Sequence, residues 1–180
     1  MRVIAGKYKG YPLAAPAYRF IRPTTDRVKT AIFNILPHDI WESAVVLDLY
    51  AGTGNLGIEA LSRGAKKVVF IDKSPLAVKI IKKNLSKIGV KANVWKRDIL
   101  KGLSFLNDKF SIIFMDPPYE KGYVEKTLLI IEKRKKEILE KEGLIVIEHS
   151  PKEKFALLGF KLITCKHYGQ TQVSILLGEE

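Results

Sequence analysis

The sequence predicts an α/β domain built on a mostly parallel sheet with helices on both faces. Five short apolar runs recur along the chain: AVVLDLY (44–50), KVVFID (67–72), ANVWKRD (92–98), FSIIFMD (110–116) and GLIVIEH (143–149). Runs of this length, apolar with little alternation, suit parallel strands covered on both sides. The segments between them, LGIEALSR, PLAVKIIKKNLSKIG, ILKGLSFL and YVEKTLLIIEKRKKEIL, place apolar residues at helical spacing. The end breaks the alternation. GFKLITCKHYGQTQVSILL reads as two strands joined at Gly169, an antiparallel hairpin that finishes the sheet.

The front of the chain has a different pattern. RVIAGKYKGYPL alternates around Gly6 and Gly10 and predicts a small β-hairpin. Pro12 and Pro16 lead into a polar connection ending in RPTT. Thr25 is placed to cap a helix with Val28, Ala31, Ile32, Ile35 and Leu36 at helical spacing, stopped by Pro37. The expected organisation is an N-terminal hairpin-plus-helix extension (1–38) laid on a main domain (39–180), in a chain of 180 residues, long enough for one sizeable core.

Composition narrows the function classes. With 47% hydrophobic and 28% charged residues the chain is ordinarily globular. Its apolar runs are strand-length and broken by Gly, Asp or Lys, so none is expected to span a membrane. The start lacks the apolar core of a signal peptide. A single cysteine, Cys165, makes no internal disulfide, which fits a reducing cytoplasm; its strand-like setting predicts a packing role. The histidines, His38, His149 and His167, read as structural, and no Cys/His cluster has metal-ligand spacing, so no metal is expected.

The formal net charge of +12 is unevenly placed: residues 1–30 hold seven basic side chains against one acid, Asp26. Such a field attracts polyanions and speeds their encounter. The run EKRKKEILEK (132–141) interleaves both signs and reads as a solvated helix face.

The first strand runs into DLYAGTGNLG, where Gly52, Gly54 and Gly57 form a GxGxxG arrangement between a strand and a helix. Glycines there let the backbone turn tightly and approach a ligand, and the next helix offers free N–H groups. Asp72, ending the second strand, is placed to bind ribose hydroxyls. Two features turn the loop away from a nicotinamide dinucleotide. Asp48, inside the first strand, would repel a pyrophosphate but hold an ammonium group. Asp98 and Ile99 repeat the strand-end acid at the third strand, where an adenine amino group could be read. A dinucleotide-binding sheet would also continue with parallel strands instead of a hairpin. Three strand-end acids suit a cationic, adenosine-containing, phosphate-free ligand, and S-adenosylmethionine fits.

VLDLYAGTGNLG, FIDKS, RD and DPPY, in that order, resemble the motifs of Class I S-adenosylmethionine-dependent methyltransferases over residues 44–177. The resemblance implies a Rossmann-like seven-stranded sheet in the order 3-2-1-4-5-7-6, its seventh strand antiparallel. It implies a cofactor site made of Asp48, Tyr50, Ala51, Gly52, Thr53, Gly54, Asp72, Lys73, Asp98 and Ile99, leaving S-adenosylhomocysteine as product. It also brings Asp116 to face the glycine loop.

In that geometry Asp116, Pro117, Pro118 and Tyr119 become the catalytic stretch. An exocyclic base amine is a poor nucleophile because its lone pair is delocalised into the ring. The Asp116 carboxylate and the Pro117 carbonyl can each accept one of its N–H bonds, drawing the nitrogen toward tetrahedral geometry with its lone pair on the methyl carbon. Tyr119 would stack on a base that has left its helix.

DPPY is shared by enzymes acting on adenine N6, cytosine N4 and guanine N2. The flanks narrow the choice: RVIAGKYKGYPL followed by RPTTDRVKTAIFNIL, and HYGQTQVSIL at the end, resemble the corresponding parts of bacterial 16S ribosomal RNA guanine-N2 methyltransferases. The resemblance implies methylation of a guanine in small-subunit RNA, within the subunit or an assembly intermediate, with no obligate protein partner. It implies Arg22 and Thr24 near the cofactor as part of a lid, and the basic extension, with Lys7, Lys9, Arg19 and Arg27, facing RNA. The alternative is a DNA or RNA amino-methyltransferase acting on adenine N6 or cytosine N4.

Overall fold

The computed structural model describes residues 1–15 and 26–178. Its seven strands are β1 (Val45–Leu49), β2 (Lys67–Asp72), β3 (Asn93–Lys96), β4 (Phe110–Met115), β5 (Leu139–His149), β6 (Phe160–Tyr168) and β7 (Thr171–Gly178). They form one sheet in the order β3-β2-β1-β4-β5-β7-β6. β1 to β5 pair in parallel, and β7 is antiparallel to both β5 and β6. The expected order and the inverted seventh strand are both present.

The central strands are apolar along their length because both faces are covered. Val46 and Phe70 point to the face packed by α1 (Asp26–Ile35), α2 (Asn55–Ser62) and α3 (Pro75–Lys87), where Ile32, Phe33, Ile58 and Ile81 are fully buried. Leu47, Leu49 and Ile71 point to the opposite face, against Val124, Leu128 and Ile131 of α4 (Tyr123–Lys133) and Ile138 of α5 (Lys135–Ile138). α3 begins as its sequence suggests: the Ser74 side chain accepts from Ala77 N–H, and Pro75 opens the first turn.

Four local expectations are corrected. ILKGLSFL forms only a short 3-10 turn, Ile99–Lys101, ended by Gly102 at φ 100°, with Leu103 and Leu106 buried as loop residues. EKRKKEILEK is not one solvated helical face. Its helix breaks at Arg134, whose guanidinium turns inward onto the Leu103 and Leu106 carbonyls, and β5 has begun by Leu139. RVIAGKYKGYPL closes as the expected hairpin, with Val3 N–H bonding Tyr11 O, Gly10 N–H bonding Val3 O and Leu13 N–H bonding Met1 O. It makes one bridge, Arg2 to Pro12, in place of regular strands, and its turn docks on α2 through Lys7 N–H and the Ser62 carbonyl. A Cβ on Gly6 would lie 1.8 Å from the Ser62 carbonyl oxygen. Cys165 is exposed, since β6 is the outer edge of the sheet.

The extension is fastened to the main body by buried charge. The Glu59 carboxylate of α2 accepts from the backbone N–H groups of Ile4 (2.8 Å) and Ala5 (3.0 Å) and from Arg63 Nε (3.1 Å). Lys29 of α1 lies 3.3 Å from it and donates to Arg2 O and Asn55 Oδ1, both at 2.6 Å. Lys29 and Glu59 have no exposed side-chain surface, so Lys29 leaves the outward basic set that composition suggested. Burial lowers the Lys29 pKa against the opposing pull of Glu59. On α3, the buried Asn84 accepts from Ala14 N–H and donates to the Ala14 and Thr53 carbonyls.

Candidate active site

β1 and β4 are neighbours with Leu49 opposite Met115, so the chains leaving them emerge side by side. One exit is the glycine loop; the other is Asp116 to Tyr119. The loop is a tight left-handed turn: φ is 58° at Tyr50, 55° at Gly52 and 77° at Gly54. Tyr50 bears the cost of that region for a side chain. Its hydroxyl is held 2.6 Å from Thr127 Oγ1 and its ring stacks on Tyr123 at 6.2 Å. Burial raises its pKa to about 12.

Strand-end carboxylates shape the loop from beneath. Asp72 accepts from Gly52 N–H (2.9 Å) and Ser74 N–H (2.8 Å). Asp48 lies under the loop, where Oδ2 accepts from Gly57 N–H at 2.9 Å. A Cβ at Gly57 would sit 2.3 Å from the Phe70 ring and 2.9 Å from that Asp48 oxygen, so helix and strand can approach this closely only at glycine. Burial pushes the Asp48 carboxyl up to about 8, with the charge of Asp72 adding to the shift. Asp98 accepts from Leu100 N–H at 3.1 Å and caps the short turn containing buried Ile99. Lys73 lies over the Tyr123 ring at 5.5 Å. Ala51 and Thr53 are buried within the loop itself.

Asp116 is half-buried, Pro117 buried and Pro118 exposed at the end of β4. The Tyr119 hydroxyl donates to Glu148 Oε1 at 3.0 Å and lies 3.0 Å from Thr171 Oγ1. Burial, then the charge of Glu148 and more weakly that of Asp116, raise its pKa. The ring is thus fixed by anchors on β5 and β7 that sequence reasoning does not single out. Glu148 carries a signal, an acid near the end of β5 as Asp116 follows β4. Thr171 carries none, being 52 residues away from its partner. Tyr123 and Thr127, which brace Tyr50, escape notice in a helix whose pattern displays only its apolar face.

The structure brings ten of the expected cofactor residues, from Asp48 to Ile99, to the ends of β1, β2 and β3, with the Asp116 stretch alongside. Lys7, Lys9 and Arg27 are exposed on the extension, where Lys9 helps line a cavity of about 370 Å³ with Arg2, Asp26 and Thr30. Arg19, Arg22 and Thr24 lie outside the described residues. The donor set fits a phosphate-free ligand: the Asp72 and Asp48 carboxyl groups bond the loop and the helix it opens, Asp98 lies close enough to act on Tyr50, and Gly52 and Gly54 take the left-handed turn. Among the described residues no helix is long and apolar enough to cross a membrane.

Known proteins share this architecture. Residues 1–177 match the family model described as Conserved hypothetical protein 95. The rRNA methyltransferase candidate YlbH of Bacillus subtilis is 38% identical over 97% of both chains. Ribosomal RNA small subunit methyltransferase D of Escherichia coli strain K12 is 35% identical over 73% of this chain and 67% of its own. Among solved structures, the methyltransferase candidate yhhF of Escherichia coli superposes with a TM-score of 0.84 at 32% identity, covering 99% of this chain and 98% of that one. An RNA methyltransferase of Salinibacter ruber, solved with S-adenosyl-L-homocysteine, shares the fold with a TM-score of 0.68 at 18% identity, covering 88% of this chain and 94% of that one.

Proposed function

This chain belongs to the Conserved hypothetical protein 95 family, and we propose that it methylates the exocyclic N2 amine of a guanine in 16S ribosomal RNA. The carrying observation is the exit of Asp116 from β4 beside the glycine loop that ends β1. The names of its relatives support ribosomal RNA as the substrate class. S-adenosylmethionine is the cofactor, and when bound it supplies an electrophilic methyl carbon on a sulfonium.

The chain's own residues do the rest. Asp72 offers its carboxylate to the ribose hydroxyls, and Asp98 with Ile99 borders the adenine. Asp48 sits below the loop as a positioning residue for the ligand's amino-acid end, its Oδ2 accepting from Gly57 N–H and so fixing the loop. Tyr50, Ala51, Thr53 and Lys73 wall the same cleft. Asp116 accepts an N–H of the target amine, and the Pro117 carbonyl accepts the other, leaving the lone pair directed at the methyl carbon. Pro118 keeps that spur extended. Tyr119, held at its hydroxyl, presents a ring face to the extruded base. Lys7, Lys9 and Arg27 face RNA from the extension 1–38; for Arg19 an RNA contact, and for Arg22 and Thr24 a cofactor contact, are the roles the family resemblance implies.

The expected setting is cytoplasmic, with the substrate in the small ribosomal subunit or an assembly intermediate. Nucleoside analysis of unmodified small subunits incubated with the enzyme and S-adenosylmethionine tests the reading. N2-methylguanosine is the expected product; N6-methyladenosine or N4-methylcytosine alone would replace guanine by the other amines this spur can serve.

A further inference from the structure

The highest local density of unopposed charge does not lie on the extension. Residues 73–97 contain eight basic side chains and no acidic one, against seven and one in residues 1–30, where Lys29 is buried. All eight are exposed. Among the described residues none of them forms a salt bridge. They surround the open edge of the sheet: Lys82, Lys83 and Lys87 project from α3, Lys91 precedes β3, and Lys96 and Arg97 end it.

An aromatic side chain stands at this edge, on the sheet face opposite α3. Trp95 on β3 is 40% exposed, although a tryptophan contributes most when buried. One side of its ring leans on Phe105 at 5.7 Å, and Arg97 lies over Phe105 at 5.4 Å. The other tryptophan, Trp41, is only 2% exposed in the core. A braced indole beside a run of cations, bounded by Asp72 and Asp98 at its ends, is a combination that holds single-stranded nucleic acid, with bases stacking on the ring and phosphates neutralised alongside. β3 lies two strands from β1, about 10 Å in the plane of the sheet. Asp116, at the exit of β4, is one strand further, about 14 Å or about four stacked nucleotides away.

We propose that the β3 edge is a second RNA-binding surface, on which Trp95 stacks a base of the single-stranded segment flanking the target nucleotide. The proposal rests on the RNA substrate reading given above. The charge selects RNA over a second copy of this chain, which would bring its own eight cations to the same edge.

The test measures binding of protein-free 16S RNA and of unmodified small subunits to the full-length protein, with S-adenosylhomocysteine affinity measured in parallel. Trp95→Ala should weaken RNA binding about tenfold, within the range for one stacked base. It should raise the RNA KM while leaving kcat at saturation and cofactor affinity unchanged. RNA should quench the tryptophan fluorescence of the wild type. Trp95→Phe should remove that quench yet keep most of the affinity, because a ring remains. Combined Lys82→Glu and Lys83→Glu should flatten the salt dependence, lowering its slope by about 0.7 for each phosphate no longer neutralised.

Unchanged RNA affinity in Trp95→Ala, with no quenching in the wild type, overturns the proposal while leaving the methyltransferase reading intact. Loss confined to assembled subunits overturns it in favour of a protein partner at this edge. Trp95-dependent dimerisation in sedimentation overturns it in favour of a second copy. If the wild type binds neither protein-free RNA nor small subunits, the substrate reading fails with it.

Discussion

The two halves of the site are assembled by different means. On the β1–β2–β3 side, carboxylates at strand ends bind backbone N–H groups nearby in the chain: Asp48 holds Gly57, 9 residues on, and Asp72 holds Gly52, 20 residues back. On the β4 side, Tyr119 is fixed by side chains 29 and 52 residues away, one on β5 and one on β7. Apart from Tyr50, which Tyr123 and Thr127 of α4 brace, the cofactor half is therefore a property of successive βα units. The acceptor half becomes complete only when the closing hairpin has paired against β5. Damage to the first should reach ligand affinity and the fold, whereas damage to the second should reach turnover and leave the first standing.

The largest expected effect that separates them is Asp116→Ala. Turnover should fall by at least about 100-fold, as for loss of a group that orients the reacting atom, while S-adenosylhomocysteine binding stays near wild type by calorimetry. Parallel loss of both would merge the two halves into one cooperative unit.

Asp48→Asn probes the buried side through pH. The folded carboxyl titrates at about 8 against an ordinary 3.8, so the folded state holds the extra proton between those values. Wild-type stability should consequently decline as pH rises from about 4 to about 8, with this group contributing a slope of at most about 1.4 kcal/mol per pH unit. Asn removes that contribution, and urea titrations across the range should show the variant gaining on the wild type toward high pH. A constant difference between them would mean that Asp48 is already ionised beneath the loop.

Gly57→Ala forces a methyl against Phe70 and should cost about 1–3 kcal/mol by overpacking, accompanied by weaker cofactor binding. The smallest effect is expected from Thr171→Val, which removes one hydrogen bond worth about 1 kcal/mol to the Tyr119 anchor. It should slow methylation several-fold without altering cofactor affinity, and a matching loss of that affinity would show that the hairpin supports both halves.

This asymmetry also explains what is legible in the sequence. The strands can be read because each is a continuous apolar run, and the glycine loop because its acids and glycines are close together in the chain. Sheet order is reached through the resemblance of whole motifs, since local pattern says nothing about which strands pair. Tyr119 reads as a base platform, but its anchors stay hidden, because Glu148 and Thr171 meet it only through β5 and β7. Lys29 counts as surface charge in the sequence because a lysine at helical spacing gives no sign of a carboxylate from another helix. Cys165 reads as packed because alternation marks a strand without telling whether that strand is interior or at the rim.

The junction at Glu59 bears on how this protein can be cut. That carboxylate is neutralised inside the molecule by two amides from the first five residues, by Lys29 and by Arg63. Trimming the chain to begin at residue 39 would remove all of these partners but Arg63, together with the buried Val3, Leu13, Val28, Ile32, Phe33 and Leu36, opening to water the core face they cover. The front of the chain cannot be shed like an accessory clip. A shortened version would forfeit its methyl-transfer body together with its grip on RNA.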